Sequence, residues 1–101
     1  MLKTEIVDNK LVGVLENTDR INATIAQEIK KELTNALVEG DYNLILDLSN
    51  IRFIDSTGIG VLISALKTSR QNEGVFLLKS VQKDVMSLLT LMKLDKVFDF
   101  V

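Results

Sequence analysis

The sequence contains no cysteine and no histidine. Without Cys there are no disulfides, no thiolate nucleophiles and no thiolate metal ligands. Without His, a Ser–His–Asp triad, a Cys–His pair and the usual zinc sites are excluded. Proline is also absent, and no repeat, linker or low-complexity segment interrupts the 101 residues. There is no block of like charges, and 12 basic against 14 acidic residues give a net charge of −2. Such a chain is not expected to have nucleic acid or an anionic membrane as its main partner. No basic-then-apolar segment opens it, as a signal peptide would. Its longest largely apolar stretch, Gly58 to Leu66, falls far short of the ~20 residues of a membrane span. A cytoplasmic protein is expected.

What is present is a globular balance, 47% hydrophobic and 26% charged. A chain of this length suits one domain, residues 1–101, burying roughly two thirds of its unfolded surface. Thr4–Val7 and Lys10–Leu15 are β-branched and apolar runs around Asp8-Asn9, which predicts a hairpin. Glu16 to Asn22 is polar and reads as a loop. Ile25, Ala26, Ile29, Leu33, Ala36 and Leu37 recur at helical spacing. A Thr24–Gln27 capping box or an Asn22 cap would start that helix, and Gly40 would end it in a left-handed conformation. The opposite face carries Glu28, Lys31, Asn35 and Glu39 and is a solvated surface.

Tyr42–Leu48 reads as a buried strand and Ile51–Ile54 as a short extended piece. A second helix is predicted over Thr57–Gln71, a turn over Asn72–Gly74 and a strand over Val75–Lys79. Ser80 could cap a third helix, Gln82–Met92, with Val85, Leu88, Leu89 and Met92 as its core stripe. Val97–Val101 reads as a last strand. Strands alternating with helices imply parallel pairing through crossovers. The prediction is an α/β fold: one mixed sheet with an antiparallel N-terminal hairpin, packed with about three helices.

The informative stretch is "RFIDSTGIGVLISAL", residues 52–66. It sets Asp55, Ser56 and Thr57 where a strand gives way to the second helix, and functional loops of open α/β sheets lie at such strand ends. Ser56 or Thr57 could simply be the N-cap or first residue of that helix. Three features point further. Gly58 and Gly60 each cost helix stability by ~1 kcal/mol relative to Ala. The cause is either geometry, a tight turn at Gly58 and close packing at Gly60, or another molecule approaching this backbone. Ile59, Leu62, Ile63 and Leu66 share the core-facing side at helical spacing. Gly58, Val61, Ser64, Ala65 and Thr68 form a second, uncharged side, to be covered by the fold itself or by a partner. Finally, a helix N-terminus accepts phosphate, and phosphorylated Ser56 would bring about −1.5 to −2 charges.

Enzymatic readings fit poorly. No His can activate Ser56, and Lys67 lies about three turns along the helix. "STGIGVLI" lacks the Lys and the loop length of a P-loop. The Asp-Ser/Thr-Gly pattern of aspartic proteases is broken by an intervening residue, and those proteases are all-β. No catalytic residue, cofactor or metal site is expected.

"LILDLSNIRFIDSTGIGVLISALK", residues 44–67, resembles the signature of STAS domains, most of all that of bacterial anti-sigma factor antagonists. The resemblance covers nearly the whole chain. It implies that the unphosphorylated protein binds an anti-sigma factor that is also a Ser/Thr kinase, freeing a sigma factor. Phosphorylation of the motif serine, matched by Ser56 with Thr57 as the alternative acceptor, would release that partner, and a PP2C-type phosphatase would reset it. Asp55 matches the acid beside the acceptor, aiding the kinase or bonding the loop. Asp47 matches a family Asp expected to hold the Ser49-Asn50 turn. The family's first loop often contributes to the partner surface, which adds Asp19 and Asn22 to the candidate contacts. In that loop, "LENTDRINA" departs from the family's Gly-x-(Leu/Ile)-Asp. The chain also stops at Val101, where relatives often carry another helix. The alternative implied by the same family is a scaffold or transport-system subunit that binds irrespective of phosphorylation.

Overall fold

The computed structural model describes all residues, 1–101. Strands β1 (Leu2–Val7) and β2 (Lys10–Leu15) form the expected antiparallel hairpin, with Val7 opposite Lys10. Asp8 and Asn9 both take positive φ, 52° and 65°. That is the backbone a two-residue primed turn requires, and Asp and Asn tolerate it better than most residues. Strand β3 (Arg20–Ile21) leads to helix α1 (Ala26–Glu39), and β4 (Leu44–Asp47) follows. Strand β5 (Phe53–Ile54) precedes helix α2 (Ser56–Gln71). Strand β6 (Phe76–Lys79), helix α3 (Lys83–Leu91) and β7 (Asp99–Phe100) complete the chain.

The main sheet has the order β1-β2-β4-β6-β7. Only the opening hairpin is antiparallel; β2–β4, β4–β6 and β6–β7 are parallel. The mixed α/β architecture with three helices is therefore as predicted. Alternate residues of the inner strands are fully buried: Leu44, Leu46 and Leu48 on one side of Ile45 and Asp47, and Phe76 and Leu78 around Leu77. They meet Ile29, Leu33 and Leu37 of α1, Ile59, Leu62 and Leu66 of α2, and Val85 and Leu89 of α3 in one core. Each such side chain contributes roughly 1.5–3 kcal/mol by leaving water. No helix is long and apolar enough to cross a membrane.

Several expectations change. Glu16–Asn22 is not all loop: Arg20 and Ile21 pair in parallel with Phe53 and Ile54, making a separate two-stranded sheet. Neither Thr24 nor Asn22 caps α1, whose N-cap position is Ile25 with no side-chain bond. Gly40 is not left-handed (φ −90°); Asp41 and Tyr42 turn the chain instead, at φ 53° and 67°. Ser80 does not cap α3; Gln82 holds that position, and its Nε2 donates to the Ser49 carbonyl, 2.6 Å away. Of the α3 stripe, Val85 and Leu89 are buried and Leu88 is half-buried, but Met92 is exposed, because the helix ends at Leu91. Asp47 does hold its turn, accepting from the Ser49 N–H at 2.8 Å.

Candidate functional site

The cap of α2 is Asp55, not Ser56 or Thr57. Its backbone is extended (φ −101°, ψ −179°), and Oδ1 accepts from the Gly58 N–H at 2.8 Å. This is the N-cap geometry that satisfies one of the helix's free donors. Oδ2 reaches across to the Ala23 N–H at 3.1 Å. The Asp55 N–H in turn donates to the Ile21 carbonyl at 3.2 Å. One carboxylate thus fixes both the start of α2 and the segment after β3. Ser56 is the first residue of the helix, and it and Thr57 are exposed. Since Asp55 does the capping, the Ser56 hydroxyl is spared that structural duty and faces water at the positive end of a 16-residue helix.

Neither glycine has the role expected of it. At Gly58 a Cβ would collide with the Ile21 carbonyl and the Ile54 side chain. The glycine is there because β3 crosses the helix start, not for a tight turn. At Gly60 a Cβ would meet nothing within 4 Å, and the residue is exposed. Close helix–sheet packing therefore does not explain Gly60.

The second side of α2 is also redrawn. Gly58, Val61 and Ala65 are buried, and α1 packs alongside α2. Their small size serves the fold, and none of the three is open to a partner. Ser64 and Thr68 are half-buried. Over its first two turns the free line of the helix is Ser56, Gly60 and half-buried Ser64, four residues apart, with Thr57 and half-buried Ile63 beside it. That stretch carries no charge; exposed Lys67, about one turn further along, is the first charge on the same side.

Next to the helix start lies a cluster in which sequence reading passed over Arg20, Arg52 and Phe53. Phe53 is 51% exposed. The Arg20 guanidinium sits 5.1 Å from its ring centre and that of Arg52 5.7 Å. Arg20 Nε also donates to Asp19 Oδ1 at 2.9 Å. That bond holds the Asp19 carboxyl below its ordinary range against the opposing desolvation, with further attraction from Arg20 and Arg52. The same pairing raises Arg20. Arg20, Ile21, Asn22, Phe53, Ile54 and Asp55 line a shallow pocket of about 150 Å³. Asn22 Oδ1 is buried and has no hydrogen-bond partner. The signal available in the sequence was Arg-Phe directly before the motif; an exposed Phe is not distinguishable from a core Phe until the pairing of β3 with β5 is known.

Residues 3–101 match the STAS domain family. This chain belongs to that family. A protein of Thermotoga maritima described as a candidate anti-sigma factor antagonist is 33% identical over 98 residues, spanning 96% of this chain and 85% of its own. The crystal structure of a candidate anti-sigma factor antagonist from Thermotoga maritima superposes with a TM-score of 0.82 at 30% identity, covering 98% of this chain and 84% of that one. The anti-sigma factor antagonist SpoIIAA in its unphosphorylated form shares the fold, with a TM-score of 0.77 at 16% identity over 100% of this chain and 88% of its own.

On this STAS domain the candidates sort by position. Asp55, Ser56, Thr57 and Gly60 cluster at the exposed start of α2, with Asp19 and Asn22 across the β3–β5 pair. Gly58, Val61 and Ala65 lie inside the fold. No three acidic side chains gather as metal ligands would.

Proposed function

We propose that this STAS domain is an anti-sigma factor antagonist switched at Ser56. The unphosphorylated form binds an anti-sigma factor with Ser/Thr kinase activity and so frees a sigma factor. Phosphate on Ser56 ends the complex, and a PP2C-type phosphatase restores it. The observation that carries this reading is the division of labour at the start of α2: Asp55 caps the helix, and the neighbouring Ser56 stays exposed. The uncharged Ser56–Gly60–Ser64 line supplies a close-contact surface, and Gly60 has no role inside the domain that requires it.

The physics suffices for a switch. Moving binding from nearly complete to nearly absent takes ~5.5 kcal/mol of differential affinity. Desolvating an unpaired dianion against an uncharged contact is of that order, while the helix N-terminus tolerates the same group in the free protein.

The test is to incubate the protein with each kinase-type anti-sigma factor of its source organism and ATP, then locate phosphate by mass spectrometry and measure binding. Phosphate on Ser56, with binding abolished by Ser56→Asp and kept by Ser56→Ala, is expected. Phosphate on Thr57 alone would move the acceptor by one residue. Binding indifferent to both Ser56 variants would point to the scaffold or transport-subunit alternative.

A further inference from the structure

We propose that β1 is a self-complementary edge through which two copies of this domain join, antiparallel and strand to strand, across a two-fold axis at Thr4. No residue of that edge belongs to the start of α2, so self-association and the Ser56 switch are separable.

The main sheet has two edges, and they differ. β7 at one edge spans two residues, whereas β1 at the other spans six, Leu2–Val7. β1 contains no proline, and its register against β2 runs without a bulge. The hairpin turn pairs Val7 with Lys10, and the Glu16 N–H bonds the Met1 carbonyl at 2.7 Å. By the alternation of an antiparallel ladder, the odd-numbered residues therefore turn their backbone groups to β2, and Leu2, Thr4 and Ile6 turn theirs outward. The Leu2 N–H is capped there by Glu32 Oε1 at 3.2 Å. The Leu2 carbonyl and both backbone groups of Thr4 and Ile6 are left open to solvent. Such an open edge is a template for another strand. Ile6, 67% exposed, stands on it.

Charge selects the occupant. Charged residues on an edge ordinarily deter pairing, but here their signs alternate about Thr4, with Lys3 before it and Glu5 after it. Antiparallel pairing centred on Thr4 sets Lys3 of each copy opposite Glu5 of the other. The two Thr4 residues then exchange N–H···O bonds, and each Ile6 N–H meets the Leu2 carbonyl of the second copy. Lys3 and Glu5 fall at the pairs between, where Cα atoms approach to ~4.5 Å and side chains lie closest. Glu5 has no ion partner within the domain, and Lys3 has only the exposed Glu16, at 3.6 Å. Such an exposed contact is worth little and does not compete. Sliding one strand by two residues sets Lys3 against Lys3 or Glu5 against Glu5, so the charges admit one register. On the helix side, Ile6 comes to lie opposite Leu2 of the second copy, a residue packed against the core, and gains an apolar neighbour. A strand of another protein would have to reproduce this pattern, whereas a second copy supplies it by symmetry.

The test is sedimentation of the purified chain from micromolar to millimolar concentration, beside Lys3→Glu, Glu5→Lys and the double exchange Lys3→Glu/Glu5→Lys. Both side chains are exposed, so unchanged thermal unfolding at low concentration serves as the folding control. The wild-type mass is expected to rise from 11.3 kDa toward twice that value. Each single variant sets like charges opposite one another in both pairs and should weaken association by about tenfold or more. The double exchange should restore it, and so should mixing the two single variants, as a heterodimer. In the wild type, amide protection at Thr4 and Ile6 should grow with concentration, a readout that needs no variant to fold. A wild-type chain that stays at 11.3 kDa throughout overturns the proposal, whether or not another protein pairs with β1. So does association that neither single variant weakens, that the double exchange fails to restore, or that leaves the Thr4 and Ile6 amides unprotected.

Discussion

At Gly58 a methyl group has nowhere to go, because the Ile21 carbonyl of β3 already occupies its space. Backbone cannot step aside as a flexible side chain can, so Gly58→Ala is expected to destabilise the domain by about 1–3 kcal/mol. Gly60, two residues on, faces open space. Gly60→Ala is expected to stabilise by up to about 1 kcal/mol through helix propensity, yet to weaken the partner complex if that surface is a close contact. Urea unfolding of the two variants, beside a binding titration of the second, checks both. Asp55 joins the Gly58 and Ala23 N–H groups through one carboxylate. Asp55→Ala is expected to cost about 0.5–2 kcal/mol, whereas Ser56→Ala should fall within about 0.5 kcal/mol of wild type, as an exposed residue without a capping role does. A Ser56→Ala loss as large as that of Asp55→Ala would mean that the hydroxyl is structural after all.

The three helices end in one way: the chain reverses through a left-handed residue that is not glycine. Asp41, Glu73 and Lys93, each just after the helix's last cap residue, take φ of 53°, 60° and 60°. After α2 and α3 the next N–H bonds five residues back, Gly74 to Ser69 and Leu94 to Leu89, at 2.8 Å each. An L-residue in this conformation is strained by roughly 1–2 kcal/mol. Lys93→Gly, at an exposed site, should therefore raise the unfolding free energy, by up to about 1 kcal/mol after the added flexibility of the unfolded chain is counted. Ser69, the one fully buried polar side chain, donates to the Tyr42 carbonyl at 2.8 Å and ties α2 to the α1–β4 turn. Ser69→Ala is expected to cost about 1–3 kcal/mol by leaving that carbonyl unpaired. These ends show what sequence could and could not reveal. Helix interiors were legible because Ile29, Leu33 and Leu37, or Ile59, Leu62 and Leu66, repeat at 3.6-residue spacing. Gly40 looked like a left-handed stop, but it and Gly74 owe their size to close backbone: a Cβ would strike the Asn43 carbonyl at Gly40 and the Tyr42 carbonyl at Gly74. Strand β3 escaped notice because two residues in a polar segment carry no period, and only their partner β5, more than thirty positions away, makes them a strand.

Across the whole molecule, helices and core lie together, and the motif stands where α2 leaves the small β3–β5 sheet. This placement lets a surface group change its charge without entering the packed interior. Asp-Ser-Thr-Gly-Ile-Gly was readable as a candidate site, and the hairpin and the β-α-β order were readable as a fold, because both are local patterns. The identity of the free face was not, because which side of α2 is covered depends on how α1 packs against it, and α1 took Val61 and Ala65 into the core. The central claim is that esterifying one exposed hydroxyl abolishes docking while the host domain stays folded. The most direct measurement is a calorimetric titration of the kinase-type anti-sigma factor with two preparations of this protein, one unmodified and one carrying phosphate on Ser56, each melted separately. Affinity should fall by about a hundredfold or more on phosphorylation, with a single unfolding transition shifted by no more than a few degrees. Equal affinities, or a phosphorylated form that no longer folds, would contradict it.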